Sequence, residues 1–371
     1  MFTSEVRYTA GAKEFRMIVM RTRMSLDWLY RTAVGAFLTI ALVSIAGQAA
    51  TFANGYEDNP PRIVWSPAGN VLVGVVNDEL WIVDVLGYAD ILESGGVSSP
   101  TFSQDGLYLA FIQNGELKVY DWMLSEYVET EAYGDVTDCS FDRAEDDEQA
   151  THFLYFTSGP LYYGCDIFRL DVDAGVLFEV TDEGDASASA PVLNPYKNEL
   201  AFVLHGIESP GGYEQLYLLS GGTRKPVAAT GAYDFGADGY HESNPVYLDA
   251  NSMLFQRGGW GDWTLYKLDT TTGREEVFLP DAQQPNLSRY RGILGFTRRN
   301  YFEKMFQEYD WELPPSVWVK YTETGETIQI SPYDVWSEFP AVSSDGTHIA
   351  WVERYAELER IAIRTVVDAV G

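Results

Sequence analysis

One pattern returns seven times along the chain: a short first strand, a tight polar turn, an apolar strand, a loop, and a strand spelled acid or polar, aliphatic, aromatic. The second copy shows it most fully, with PTFSQDG at 100–106, LYLAFIQ at 107–113 and ELKVYDW at 116–122. A fixed supersecondary unit in tandem constrains the architecture more than any single motif, because one copy cannot bury its own apolar faces. Anchored on Pro100, equivalent positions fall at Ile63, Pro100, Cys139, Pro191, Pro245, Pro285 and Pro340, with spacings of 37, 39, 52, 54, 40 and 55 residues. The unequal spacings predict loop insertions on a common frame.

Two residues after each anchor stands Trp65, Phe102, Phe141, Leu193, Tyr247, Leu287 or Val342, so one face of every first strand is expected to be buried. The second strands, such as NVLVGVV at 70 and HIAWVER at 348, are short apolar runs bounded by turn residues, the pattern of strands buried on both faces. The third strands alternate more clearly, and a poorer fourth strand follows in six copies, as in ADILES at 89 and EEVFLP at 275. Four antiparallel strands repeated radially predict an all-β fold, a seven-bladed β-propeller of four-stranded antiparallel blades. The last copy lacks a fourth strand. Since an open edge is a liability, the segment around Ala50 to Glu57 is expected to pair onto blade seven and close the ring.

The unit P-x-[aromatic]-S-x-D-G, apolar strand, then [DE]-[IL]-[aromatic] is similar to the WD40-like repeat of the TolB family of bacterial propellers. The resemblance covers nearly everything from Pro60 onward and is closest at PTFSQDG (100–106), PAVSSDG (340–346) and VWSPAGN (64–70). In blades three to six the Asp-Gly turn gives way to DRAEDDE at 142, NPYKN at 194, LDANS at 248 and SRYRG at 288. The resemblance implies six blades where the repeat counts seven, so six is the alternative. Propellers of this repeat class also precede serine peptidases, but the sequence has no G-x-S-x-G, which such an enzyme requires.

The chain divides into residues 1–53, an N-terminal extension with a signal peptide or membrane anchor, and a propeller over 54–371. No charged residue occurs from Thr32 to Ala53, and Arg21, Arg23 and Arg31 precede this run. A basic segment, an apolar run and small residues near Ala49 to Ala53 describe a secretory signal, with Met24 as an expected alternative start. Retained as an anchor, the same 22 residues could just span a bilayer. Either reading places the propeller outside the cytoplasm, periplasmic or extracellular. Residues 54–371 carry 19 Lys and Arg against 52 Asp and Glu. Such a surface repels phosphate backbones and argues against nucleic acid, leaving contact with a membrane to the N-terminal anchor.

Cys139 and Cys165 both belong to the third repeat. An oxidising compartment favours a disulfide between them, whereas two strand steps of about 4.8 Å each put them beyond bridging reach.

In a four-strand meander, the loops entering first strands and those joining second to third strands share one face. That face receives the insertions 157–165, 205–214, 257–263 and 298–315, rich in aromatics that include Trp260, Trp263, Tyr301, Phe302 and Trp311. Aromatics on a rigid scaffold anchor protein interfaces and stack on sugars. YHESNP (240–245), VWSEFP (335–340) and GDVTDC (134–139) enter first strands there, placing Tyr240, His241, Glu242, Trp336, Glu338, Asp135 and Asp138 around the expected channel mouth. Carboxylates gathered at that mouth would suit a cation, but polar residues at strand entrances also satisfy backbone amides. The sequence shows no phosphate-cradling loop, Cys-His zinc pattern or nucleophile motif, and neither a cofactor nor a catalytic residue is assigned. These features predict an exported, non-catalytic propeller that binds a protein partner. The alternatives are a carbohydrate-active or metal-dependent propeller enzyme and a glycan-binding module.

Overall fold

The computed structural model describes residues 2–10, 13–21, 41–42, 62–130, 135–142, 152–159, 164–182, 187–205, 214–227, 241–259, 262–288, 291–298, 314–355 and 358–366. Strands Phe2–Ala10, Lys13–Arg21 and Ala41–Leu42 form a separate three-stranded sheet. No helix among the described residues is long and apolar enough to cross a membrane.

From Ile63 the strands fall into seven antiparallel meanders. Blade one comprises Ile63–Trp65, Val71–Val76, Glu79–Asp84 and Ala89–Ser94, and blade two comprises Val97–Phe102, Tyr108–Gln113, Glu116–Asp121 and Glu126–Tyr127. Blades three to six repeat this order, with first strands Val136–Phe141, Ser187–Leu193, His241–Asp249 and Ala282–Leu287. Blade seven has three described strands, Trp336–Val342, His348–Tyr355 and Leu358–Thr365. The segment expected to complete it, Ala50 to Glu57, lies outside the described residues.

Burial follows the strand hierarchy. The second strands are buried nearly throughout, as in Val71–Val76 and Ile293–Arg298, the third alternate, as in Glu214–Ser220, and the fourth strand Thr223–Pro226 is exposed along its length. Seven apolar clusters fill the seven seams between neighbouring blades. That count settles seven blades over six. Each cluster takes residues from two blades, as with Phe202 and Leu200 of blade four against Tyr155 and Ile167 of blade three. Close approach is needed in places: a Cβ on Gly74 would stand 2.5 Å from Ile361 Cδ1 across the seam of blades one and seven.

The S-x-D-G turns have a local cause. Asp105 accepts hydrogen bonds from Ser103 Oγ at 2.7 Å and Leu107 N at 3.0 Å, Ser103 Oγ accepts from Tyr108 N at 2.9 Å, and Gly106 takes φ +76°. Ser343, Asp345, Gly346 and Thr347 repeat the arrangement in blade seven. These turns also link blades. The imidazole of His152 in blade three lies between Asp105 and Asp173, 2.7 Å from each. Burial lowers the His152 pKa, but its hydrogen bonds and charge interactions with the two carboxylates outweigh that and raise it.

Blades one and seven are joined by side chains. Arg62 donates twice to Glu359, at 3.1 and 2.6 Å, Trp65 Nε1 donates to the Ala341 carbonyl at 2.9 Å, and Ser344 Oγ donates to the Pro67 carbonyl at 2.6 Å. Burial raises the Glu359 carboxyl, yet Arg62 and then Arg354 bring it down from 4.5 to about 2.

Two pH-dependent outcomes follow. A carboxylate with a depressed pKa contributes stability that is full above its unfolded value and is lost as pH falls through the folded one. Glu359→Gln should therefore cost on the order of 2 kcal/mol at neutral pH, after allowance for solvent screening. Chemical denaturation should show this gap closing between pH 4.5 and about 2. The raised His152 pKa works in the opposite sense, stabilising below the unfolded value of 6.5 and fading as pH rises through the folded value. His152→Ala should accordingly lower the melting temperature more at about pH 5 than at about pH 8.

Candidate functional site: the central channel and its loop-face rim

All seven anchor positions, Ile63, Pro100, Cys139, Pro191, Pro245, Pro285 and Pro340, line one cavity of about 250 Å³ where the first strands converge. The wall is completed by polar groups of Asp138, Ser243, Asn244, Gln284 and Asn286, by the rings of Tyr196, Tyr247 and Phe339, and by Arg62. Arg62 is held by Glu359 and sits 5.3 Å over the Phe339 ring.

The wall has a repeated backbone device. In the five blades anchored by proline, the preceding residue is left-handed: Ser99, Ala190, Asn244, Gln284 and Phe339 have φ between 48° and 56°. In the same blades the first-strand register slips across that dipeptide, for example between Ser98 and Thr101 and between Gln283 and Asn286. Proline cannot donate to the ladder and bars the preceding residue from the right-handed helical region, so a β-bulge is how the strand accommodates it. A non-glycine residue held there costs on the order of 1–3 kcal/mol and persists only where its surroundings enforce it. Buried side chains supply that enforcement. Gln256 Nε2 donates to Ser243 Oγ at 2.8 Å while its Oε1 accepts from Gln284 N at 2.8 Å, and Gln284 Oε1 accepts from Thr297 Oγ1 at 2.8 Å and Phe339 N at 3.0 Å. The chain pins bulges in blades five, six and seven to one another.

The expected mouth residues divide among several environments. Asp138 lines the cavity, and its Oδ1 accepts from Cys139 N at 2.8 Å. Asp135 is exposed, with φ +57°. Trp336 Nε1 donates to Glu338 Oε2 at 2.6 Å, and Arg354 lies 5.9 Å over the Trp336 ring. Glu242 is 3% exposed and belongs to the fabric of the seam: it accepts from Leu216 N at 3.0 Å and from Arg257 Nε at 2.8 Å. Arg257 also reaches Glu275 at 2.9 Å and lies over the rings of Phe255 and Tyr266. His241 is buried beside Glu214, between blades four and five, and is absent from the cavity wall. The ring of carboxylates expected at the channel mouth is therefore not assembled. Among the described His, Cys, Asp and Glu residues, the one group of three close enough to share an ion is Asp166, Glu179 and Asp182, on the third and fourth strands of blade three and beyond.

Tyr240, Trp260, Tyr301, Phe302 and Trp311 lie outside the described residues. Trp263 is half-buried in the blade-five ladder opposite Gly258, and Gly259 pairs with Asp262. Of the stretch 257–263, read as an inserted loop, Arg257 to Gly259 and Asp262 to Trp263 are instead paired strand.

Cys139 and Cys165 are buried and not joined in a disulfide. Cys139 pairs with Phe156, which faces Phe168, three residues beyond Cys165. Two strand steps and three residues separate the pair by roughly 14 Å, well outside disulfide reach. Cys139 Sγ instead donates to the Ser99 carbonyl at 3.1 Å, supporting the left-handed bulge of the neighbouring blade, and burial pushes its pKa well up.

No protein-family model matches the sequence, and no curated protein is similar to it. Solved structures are similar in shape. An oligogalacturonate lyase from Vibrio parahaemolyticus aligns over 100% of this chain and 99% of its own at 11% identity, with a TM-score of 0.58. The β-propeller domain of the trilobed protease from Pyrococcus furiosus aligns over 81% of this chain and 92% of its own at 13% identity, TM-score 0.51. TolB from Acinetobacter baumannii aligns over 77% of this chain and 67% of its own at 14% identity, TM-score 0.47. The shared feature is the propeller. At these identities the likeness is one of fold alone.

Gln256→Leu removes the acceptor for Gln284 N and the donor to Ser243, leaving both groups buried. Unpaired buried groups of this kind cost about 1–3 kcal/mol each. The variant should lose about 2–4 kcal/mol in equilibrium unfolding, more than Gln113→Leu, whose side chain bonds Glu93 and the Ser94 carbonyl near the surface.

Proposed function

We propose that the protein is an exported, non-catalytic propeller that presents its loop face to a protein partner in the cell envelope or outside the cell. The observation that carries this reading is the distribution of connections. The second and third strands of blades three, four and six are separated by 159–165, 206–213 and 299–315, which all leave from and return to one face of a rigid ring. The residue types in those connections, including Tyr162, Tyr213, Tyr301 and Trp311, are those that anchor interfaces. The engagement of Glu242 by Arg257 and of Glu338 by Trp336 supports a structural role for candidate acids at the rim. The basic and apolar N-terminal run supports export.

The shape shared with an oligogalacturonate lyase favours one second reading, a carbohydrate-active propeller enzyme. A single preparation distinguishes the two. The full chain and a variant lacking 301–311 are crosslinked in envelope extract of the source organism and, in parallel, incubated with oligogalacturonate while the ultraviolet absorbance of unsaturated uronates is followed. The expected result is a defined protein captured at least tenfold more by the full chain than by the deletion variant, with no rise in absorbance, tenfold being about 1.4 kcal/mol of interface energy. Turnover of the oligosaccharide, or capture indifferent to the deletion, would overturn the proposal.

A further inference from the structure

Blades five and six carry the same cationic arrangement, and the two treat its charge differently. Arg257 lies on the second strand of blade five, Ser252–Gly259, and Arg298 ends the second strand of blade six, Ile293–Arg298. The ladder makes the two positions equivalent. Each arginine stands two residues after a phenylalanine, Phe255 or Phe296, that pairs with an aromatic residue of the third strand, Tyr266 or Trp318. Each guanidinium lies over both rings, at 5.0 and 4.7 Å for Arg257 and at 5.7 and 5.0 Å for Arg298.

The acids differ. Arg257 stands opposite Glu242 on the first strand, whose Oε1 accepts from Arg257 Nε at 2.8 Å, and it also donates to Glu275 of the fourth strand at 2.9 Å. The same two ladder positions in blade six hold Ala282 and Thr327. Arg298 Nε is buried with no hydrogen-bond partner, and among the described residues no carboxylate pairs with Arg298. Acids are not scarce in this chain, which has 55 Asp and Glu against 25 Lys and Arg. A buried donor on a charged group is costly to leave unmatched. The platform beneath it is also fixed in advance, because Trp318 Nε1 donates to Ser316 Oγ at 2.9 Å. A guanidinium stacked on a fixed ring presents its N–H groups in one plane, the geometry that receives a carboxylate.

We propose that Arg298, braced by Phe296 and Trp318, is a carboxylate-binding site whose acid comes from outside the chain. Blade five is the internal template: it supplies from Glu242 and Glu275 what a ligand supplies to blade six. Arg298 is half-buried and directly precedes the 299–315 connection, so the site opens on the loop face. The inference goes beyond a protein-binding loop face and does not depend on it. A carboxylate is common to an acidic residue of a polypeptide and to a free organic acid, and the test separates these sources.

The full chain, labelled with nitrogen-15 at its arginine side chains, is titrated with sodium acetate against sodium chloride at matched ionic strength. One Nε–H signal, identified by its loss in Arg298→Lys, should shift saturably with acetate, while those of acid-held arginines such as Arg257 stay in place. Ala282→Glu puts an acid where blade five has Glu242 and should weaken acetate binding by about tenfold or more, the loss expected when a charge-assisted bond is already made within the chain. Thr327→Glu, at the position of Glu275, makes the same test if Ala282→Glu fails to fold. In a second arm, acetyl-Gly-Glu-Gly amide should shift the same signal and its Gln counterpart should not. Tighter binding of the peptide than of acetate assigns the acid to a polypeptide, and equal binding assigns it to a free organic acid. No acetate-dependent shift in the wild-type chain, an equal response to chloride, tighter binding of inorganic phosphate, or an undiminished response in both folded acid variants would overturn the proposal.

Discussion

Everything in this molecule depends on closing the seam between blades one and seven. Every other seam joins blades adjacent in sequence, whereas this one spans nearly the full propeller, with 297 residues separating Arg62 from Glu359. Such a contact bears the full entropy of loop closure before it returns any energy. The seam accordingly combines an apolar cluster of Trp65, Leu72, Val352 and Ile361 with the forked Arg62 to Glu359 pair and the Trp65 hydrogen bond to Ala341. A salt bridge alone would be a poor latch, because taking both charges out of water offsets much of their attraction. Its value lies in register: a guanidinium fork fits a carboxylate in one orientation, and that orientation fixes how blade seven meets blade one.

Once the ring is closed, the first strands crowd the axis and their bulges become mutually dependent. A left-handed residue before each proline is affordable because the neighbouring blade holds it, as Gln256 holds Gln284 and Gln284 in turn holds Phe339. Cys139 plays a comparable part for Ser99 through a thiol to carbonyl hydrogen bond. The channel wall is thus a set of strained elements locked by buried polar bonds, a pattern that resists deformation since no single bulge relaxes without unpairing the next. Rigidity of this kind suits a scaffold whose specificity resides in the connections above it.

The architecture was legible because strand burial is written with a period of two and the anchor position returns in every blade. All seven anchors read from the sequence line the cavity, and the six fourth strands stand where the repeat placed them. The rim was less legible, for a definite reason. A polar residue at a strand entrance points either to the axis or to the seam, and periodicity does not choose between them. Glu242 went to the seam because Arg257, opposite it on the next strand, supplies a buried cation. The stretch 257–263 read as a loop because its glycines suggest a turn, but strand pairing continues through Gly259 to Asp262.

That difference between axis and seam bears on where a propeller can acquire chemistry. Axial groups come from seven different blades, and here most are already committed to holding bulges. At a seam, two hairpin ends and one strand entrance bring three side chains together from only two blades, and the ladder fixes two of them opposite each other in advance. His205 and Glu214 need no long-range convergence, only the correct pairing of adjacent strands, and His241 arrives with the packing of blade five on blade four through Leu216, Val227 and Phe255. The entropy of bringing these side chains to one seam is therefore absorbed by contacts that the fold requires in any case.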